Sequence, residues 1–176
     1  MQSLKLSELA QIVSGECLGE ATVERIEFDT RKLGPNSLFV ALVGDSGNGH
    51  QYLNEAKKAG ACALLVSQTH DIDLPQIRVD DTLKAFQTLS KWARKKTKAK
   101  IIAITGSLGK TSTKQFLASI CAQAGPTCAS FGNYNNEIGV PYTLLSAQPE
   151  DEYWVVEAGA AKARDIHFLM QMIQPD

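Results

Sequence analysis

The sequence predicts an α/β fold in which a small N-terminal α/β unit precedes a second unit with a mainly parallel sheet. Three observations lead there. Residues 38–43, 62–67, 101–105 and 153–156 read as strands, most of them apolar enough to be buried on both faces. Helical spacings of apolar residues lie between them. Residues 101–130 run in the order strand, glycine loop, helix, strand, which is the grammar of a parallel sheet.

Taken in order, residues 7–13 read as a short helix with Ser7 as N-cap and Leu9, Ile12 and Val13 on one side, stopped by Gly15. Residues 25–28 alternate as a half-buried strand does and end in the polar turn Asp29-Thr30-Arg31. The apolar run 38–43 empties into the loop 44–50, whose glycines let backbone approach a ligand or simply turn. A helix over 52–59, closed by Gly60, leads into the strand 62–67, and 77–79 is a weaker strand. Asp80 or Asp81 caps the next helix, where Leu83, Phe86, Leu89, Trp92 and Ala93 recur up to the basic end Arg94-Lys95-Lys96. The basic run 94–100 reads as a solvated helix end and linker. After the strand 101–105 and its glycine loop comes an amphipathic helix over 110–124, closed by Gly125-Pro126, and a short strand at 127–130. The loop 132–137 precedes a further helix, the strand 153–156 ends in Glu157, and the last helix carries Ile166, Leu169, Met170 and Ile173 on one stripe.

Composition excludes several functions. The 176 residues carry 18 Lys plus Arg against 19 Asp plus Glu, with 44% apolar and 21% charged residues, the proportions of an ordinary globular protein. A net charge of −1 gives no electrostatic footprint for nucleic acid, and no apolar run reaches the roughly 18 residues that cross a bilayer. The N-terminus lacks the basic flank and apolar stretch of a secretory signal, so a cytoplasmic location is expected. Cys17, Cys62, Cys121 and Cys128 form no Cys-x-x-Cys pair and read as four reduced core thiols. Oligomeric state is not legible.

The chemistry concentrates at Ile104-Thr105-Gly106-Ser107-Leu108-Gly109-Lys110-Thr111. The full phosphate-loop pattern needs a glycine where Ile104 stands, but the shorter Gly-x-x-Gly-Lys-Thr matches, with an apolar strand leading in and a helix leading out. Such a loop turns backbone N–H groups and a helix N-terminus onto an anion, Lys110 reaches terminal phosphate oxygens, and Thr111 offers its hydroxyl to Mg²⁺. A tight strand-to-helix turn with a solvated Lys110 is the plainer alternative. Mg²⁺ prefers a carboxylate or two beside phosphates and water, and Glu157, at the end of its strand, would emerge at the same sheet edge. In Gly132-Asn133-Tyr134-Asn135-Asn136-Glu137, three Asn in four positions exceed what one turn requires. The residues alone assign no metal or general-base role to His50, His70 or His167.

Thr105 to Thr111, then Gly132-Asn133-Tyr134-Asn135-Asn136-Glu137-Ile138-Gly139-Val140-Pro141, then Val156-Glu157-Ala158-Gly159 resemble the ATP-dependent Mur ligases of peptidoglycan synthesis. Asp29-Thr30-Arg31, Leu38-Phe39-Val40-Ala41-Leu42 with Gly44, and His50 resemble the UDP-binding domain of that family. The resemblance implies a UDP-precursor-binding domain over residues 1–80 and the first half of a P-loop ATPase domain over 81–176. It implies that Gly106, Ser107, Leu108, Gly109, Lys110, Thr111, Ser112, Asn135 and Asn136 bind ATP, with Lys110 and Glu157 catalytic and Thr111 and Glu157 holding Mg²⁺. Asp29, Thr30, Arg31, Ser46, Asn48 and His50 would face the UDP-sugar. The implied reaction phosphorylates the terminal carboxylate of a UDP-N-acetylmuramoyl tripeptide, and the amine of D-alanyl-D-alanine attacks the acyl phosphate. The chain departs from the family pattern at Ala161-Lys162, where a polar pair such as Asn-His is usual, and at Arg164, where glycine is common. The resemblance further implies a longer protein, of which this chain is a truncated or remnant form with little or no turnover alone. Two other readings stay open: a non-catalytic UDP-sugar or nucleotide binding module, and a small P-loop phosphotransferase, which leaves residues 1–80 without a task. A folate-polyglutamate ligase shares the ATPase logic but not the N-terminal match.

Overall fold

The structure, a computed structural model, describes residues 3–44 and 47–176. Its contacts divide the chain into two units, Met1–Leu89 and Ser90–Asp176.

The first unit runs β1 (Leu4–Lys5), α1 (Leu6–Val13), β2 (Glu16–Leu18), β3 (Thr22–Val23), β4 (Arg25–Glu27), β5 (Ser37–Val40), β6 (Val43–Gly44), β7 (Gly47–Asn48), α2 (Leu53–Lys58), β8 (Ala61–Val66) and β9 (Gln76–Arg78). Its main sheet has the order β2-β9-β8-β5-β4, with β9, β8, β5 and β4 parallel and β2 antiparallel at the edge. Every residue of β5 is buried, as an interior parallel strand requires. Helix α2 lays Leu53 and Ala56 on Phe39, Ala41, Leu64 and Val66 of the sheet. The parallel strands β4 and β8 end on one edge, so the turn after β4 and Ser67 after β8 emerge on the same side.

Two expectations change here. The apolar run 38–43 is not one strand: β5 stops at Val40, the Leu42 N–H turns back to the Val40 carbonyl at 2.9 Å, and Val43–Gly44 pairs antiparallel with Gly47–Asn48. Apolar content reported burial there, not direction. Helix α1 begins at Leu6 with Lys5 as N-cap, not Ser7, because the Glu8 carboxylate reaches back to accept the Lys5 N–H at 2.8 Å.

Helix α3 (Thr82–Lys96) spans the division between the units. Asp81 is the cap, its Oδ1 accepting the Lys84 N–H at 3.0 Å. Phe86 is fully buried and meets Phe28 edge-on, with ring centroids 6.0 Å apart. The basic run 94–100 is not solvated throughout. Arg94 folds inward to donate from Nε to the carbonyls of Ile173 and Gln174 at 2.8 and 3.0 Å, meeting acceptors that a helix C-terminus leaves open.

The second unit continues with β10 (Lys100–Ile104), α4 (Lys110–Ala124), β11 (Thr127–Ala129), α5 (Gly139–Ser146), β12 (Tyr153–Glu157) and α6 (Asp165–Ile173). Its three strands are parallel in the order β10-β12-β11. Central β12 is buried on both faces. Trp154 and Val156 join Ile101, Val140, Leu144, Leu169, Met172 and Ile173 beneath α5 and α6, while Val155 joins Ile104 and Cys121 beneath α4. In α6, Leu169 and Ile173 are core residues as expected, but Met172 is buried where Met170 and Ile166 are only partly so.

Helix α4 matches its expected bounds but not its expected pattern. Phe116 and Ile120 are 70% and 66% exposed, while Lys114 and Cys121 are the buried positions. A lysine holds that face because its ammonium runs to the end of the sheet, where it finds a carboxylate. The four thiols are free, but only Cys121 is buried; burial, with Asp151 adding to it, pushes the half-buried Cys128 up to about 12. Among the described residues no helix is long and apolar enough to cross a membrane.

Candidate active site

Parallel strands β10 and β12 are in register from Lys100 opposite Tyr153 to Ile104 opposite Glu157, so the loop after β10 and the carboxylate ending β12 share one edge. That is the edge at which open α/β sheets take ligands. Glu157 is 1% exposed. Its Oε1 accepts from Thr111 Oγ1 at 3.3 Å and from Asn135 Nδ2 at 2.8 Å, and its own N–H donates to Ser130 Oγ at 3.0 Å. Its Oε2 has no hydrogen-bond partner and lies 3.4 Å from Lys114 Nζ. Burial pushes the carboxyl up, but the hydrogen bonds from Asn135 and Thr111 and the Lys114 ammonium outweigh it and hold Glu157 below the ordinary carboxylate range.

The loop itself turns at Gly106, with φ 149°, and at Gly109, with φ 76° and ψ 0°, a left-handed conformation that suits glycine directly ahead of a helix. Gly109 opens α4, its carbonyl accepting the Thr113 N–H at 2.9 Å. Lys110 folds over the loop to donate to the Gly106 carbonyl at 2.7 Å. Leu108 is 91% exposed. Lys110, Asn135, Asn136, Gly159 and Asp165 line a cleft beside it. Asn136 also has a structural task, since its Oδ1 accepts the N–H groups of Gly139 and Ile138 at 2.9 and 3.3 Å and so caps the entry to α5. Asp165 accepts the N–H groups of Ala161 and Lys162 at 2.9 and 2.7 Å, ordering the segment between Gly159 and α6.

In the first unit, Asp29, Thr30 and Arg31 follow β4 at the C-terminal edge of its sheet. Asp29 receives Arg31 Nε at 2.8 Å and the Arg31 N–H at 3.1 Å; these bonds hold its carboxyl below the usual range. Thr30 donates to Glu55 of α2. Asn48 Oδ1 accepts the His50 N–H at 3.0 Å and lies 2.7 Å from His50 Nδ1. His50 Nε2 accepts the Ser67 N–H at 3.0 Å, so the proton of a neutral ring sits on Nδ1, facing Asn48. Burial, then the neighbouring His70, push His50 down. The structure therefore arranges these five residues along one sheet edge; Ser46 lies outside the described residues.

Sequence reasoning passed over Lys114, Ser130 and Ser67. Lys114 carried one signal: it stands four residues after Lys110 and three after Thr111, which puts all three on one side of a helix. Ser130 and Ser67 follow strand ends, and only tertiary approach shows what they bond.

A divalent cation fits the second unit on the chemistry of its donors. An ionised buried carboxylate turns its Oε1 to the threonine hydroxyl of a phosphate-type loop. Among the described residues no group of three or more His, Cys, Asp or Glu gathers into a metal cage, so protein ligands alone would be few.

Residues 104–176 match the model of the Mur ligase middle domain, and the whole chain is similar to enzymes of the Mur ligase family. Among these, the chain is 46% identical to the UDP-N-acetylmuramoyl-tripeptide-D-alanyl-D-alanine ligase of Escherichia coli, over all of this chain and 39% of that protein. The enzyme of the same name from Bacillus subtilis is 31% identical over 97% of this chain and 39% of its own length. A crystal structure of MurF from Acinetobacter baumannii superposes with a TM-score of 0.91 at 31% identity, covering 99% of this chain and 40% of that one. MurF from Thermotoga maritima, in complex with ADP, gives 0.74 at 26% identity, covering 87% and 36%. The chain thus spans about 40% of the length of these relatives.

Proposed function

We propose that the chain supplies the UDP-precursor and phosphate-loop portions of an ATP-dependent amide ligase that joins D-alanyl-D-alanine to a UDP-N-acetylmuramoyl tripeptide. The observation that carries this reading is the meeting of Thr111 and Glu157 at 3.3 Å beside the loop closed by Lys110. Phosphoryl transfer asks a protein mainly for positioning and charge compensation, and this edge offers both. The names of the relatives supply the substrates, and the ADP complex of one relative supports a nucleotide at the loop.

In the proposed reaction the γ-phosphoryl group passes to the terminal carboxylate of the tripeptide, breaking the bond to ADP and forming an acyl phosphate. The D-alanyl-D-alanine amine then attacks the acyl carbon, phosphate leaves, and an amide remains. The N–H groups of residues 106–112 would cradle the polyphosphate, and Lys110 would leave the Gly106 carbonyl for a terminal phosphate oxygen. Thr111 and Glu157 would hold Mg²⁺, which supplies neutralisation of phosphate charge. Asn135 would keep Glu157 aimed at that edge, and Asn136 would line the cleft. Asp29, Thr30, Arg31, Asn48 and His50, with Ser46, would receive the UDP-sugar along the edge of the first sheet. Residues 1–80 and 81–176 are accordingly proposed as the UDP-sugar and ATP-binding parts.

The test is calorimetry of the chain with a nonhydrolysable ATP analogue and Mg²⁺, and separately with a UDP-N-acetylmuramoyl peptide. Saturable binding of both is expected, with Lys110→Met weakening the first by roughly tenfold or more. Binding of the UDP-sugar with no affinity for the analogue would replace the ligase reading by a UDP-sugar module.

A further inference from the structure

Lys114 lies one turn beyond Lys110 and is 3% exposed. Its ammonium donates to the Gly132 carbonyl and stands 3.4 Å from Glu157 Oε2. The two oxygens of Glu157 are thereby divided: Oε1 meets Thr111 and Asn135, while Oε2 faces a buried cation. A carboxylate whose one unit of charge is already answered at such a distance, with solvent excluded, attracts a second cation weakly. Among the described residues no further acidic cluster compensates. The other carboxylates that line the cleft have partners of their own, Asp165 in the Ala161 and Lys162 N–H groups and Glu137 elsewhere, so the additional anion is best supplied by a ligand.

We infer that Lys114 is a positioning residue that makes divalent-cation binding at Glu157 conditional on a bound polyphosphate. With Lys114 in place, carboxylate and ammonium present no net charge to a free metal ion, so the ion enters only when phosphate oxygens complete its shell. The same ammonium ties α4 to the segment after β11 through Gly132, fixing Oε2 and leaving Oε1 toward the loop. This assignment rests on the nucleotide reading of the loop, from which its test is separable.

Mn²⁺ titrations of the full 176-residue chain, followed by the electron paramagnetic resonance signal of the free ion, decide it. Wild type is expected to show no saturable Mn²⁺ site below roughly millimolar concentrations alone, and to acquire one with a nonhydrolysable ATP analogue. Lys114→Gln and Lys114→Met, the latter keeping most of the buried stem, are expected to bind free Mn²⁺ at least about tenfold tighter than wild type. The gain should vanish when Glu157→Gln is added, and Lys114→Arg should behave as wild type. A merely structural lysine predicts charge-removing variants with wild-type affinity for free Mn²⁺, and that result overturns the assignment. Micromolar binding of free Mn²⁺ by wild type overturns it without any variant. Failure of the analogue to confer Mn²⁺ binding on wild type sinks the polyphosphate reading instead, while the comparison between Lys114 variants in free Mn²⁺ stands apart from it.

Discussion

The main-chain N–H of Gly159 donates to the Asn135 carbonyl at 2.8 Å, and a Cβ on Gly159 would stand only 2.8 Å from the Asn135 side-chain Cγ. The absence of a side chain at 159 is therefore what lets the Asn135 carboxamide lie flat enough to reach Glu157. Gly159→Ala is expected to push that carboxamide away, costing about 1–3 kcal/mol of stability and weakening nucleotide-dependent metal binding together. Thermal denaturation and Mn²⁺ titration with the ATP analogue would check both effects.

Arg164 holds φ 74° and ψ −2° at the head of α6, a left-handed conformation that strains a side chain with a Cβ. Arg164→Gly should raise stability by about 0.5–1 kcal/mol, the relief of strain being partly offset by a freer unfolded chain. A higher urea midpoint at unchanged slope is the expected result. The backbone thus gives a physical reason for the glycine that the family pattern favours here.

Arg94 joins the start of its unit to the end of α6 by bonding two carbonyls with one guanidinium. Arg94→Ala is expected to cost about 1.5–3 kcal/mol, and Arg94→Lys to recover only part of it, since a single ammonium lacks the planar fork. Most of that loss comes from carbonyl acceptors and should persist in high salt, while the part owed to the Asp176 carboxylate, 3.8 Å from Arg94 Nη2 and partly exposed, should fade there.

Glu157 titrates below the ordinary carboxylate range when folded, while the unfolded side chain titrates near about 4.3. The folded state therefore binds the proton less readily. Its contribution to stability is fully present above the unfolded value and is lost as pH falls through the lower folded one. Urea unfolding across this acidic range should show a loss in wild type that Glu157→Gln lacks. At neutral pH Glu157→Gln should cost about 3 kcal/mol, because Lys114 is then buried beside a neutral amide.

The elements that were legible are those whose patterns extend over several turns or a full strand. Helix α4, β10 and β12 follow from an apolar run, a glycine loop and a long uninterrupted segment, and both Thr111 and Glu157 fall at their ends. The two-residue strands β1, β3, β6 and β7 have too few residues for any period to appear, and the turn after Val40 is hidden inside an apolar run. Lys114 was hidden for another reason. Periodicity assigns a charged residue to the solvent side, and only the approach of Glu157, 43 positions away in sequence, gives it a place inside.

Glu157 draws its partners from α4, from the residues after β11 and from the approach to α5, so its surroundings do not exist in any partly formed version of this sheet. Helix α4 beside β10 alone would lack the acid; β12 alone would lack every donor to it. Affinity for a metal-nucleotide complex would consequently appear in one step with the pairing of all three strands, and a refolding experiment followed by that affinity would time the closure of the whole unit rather than the formation of its loop.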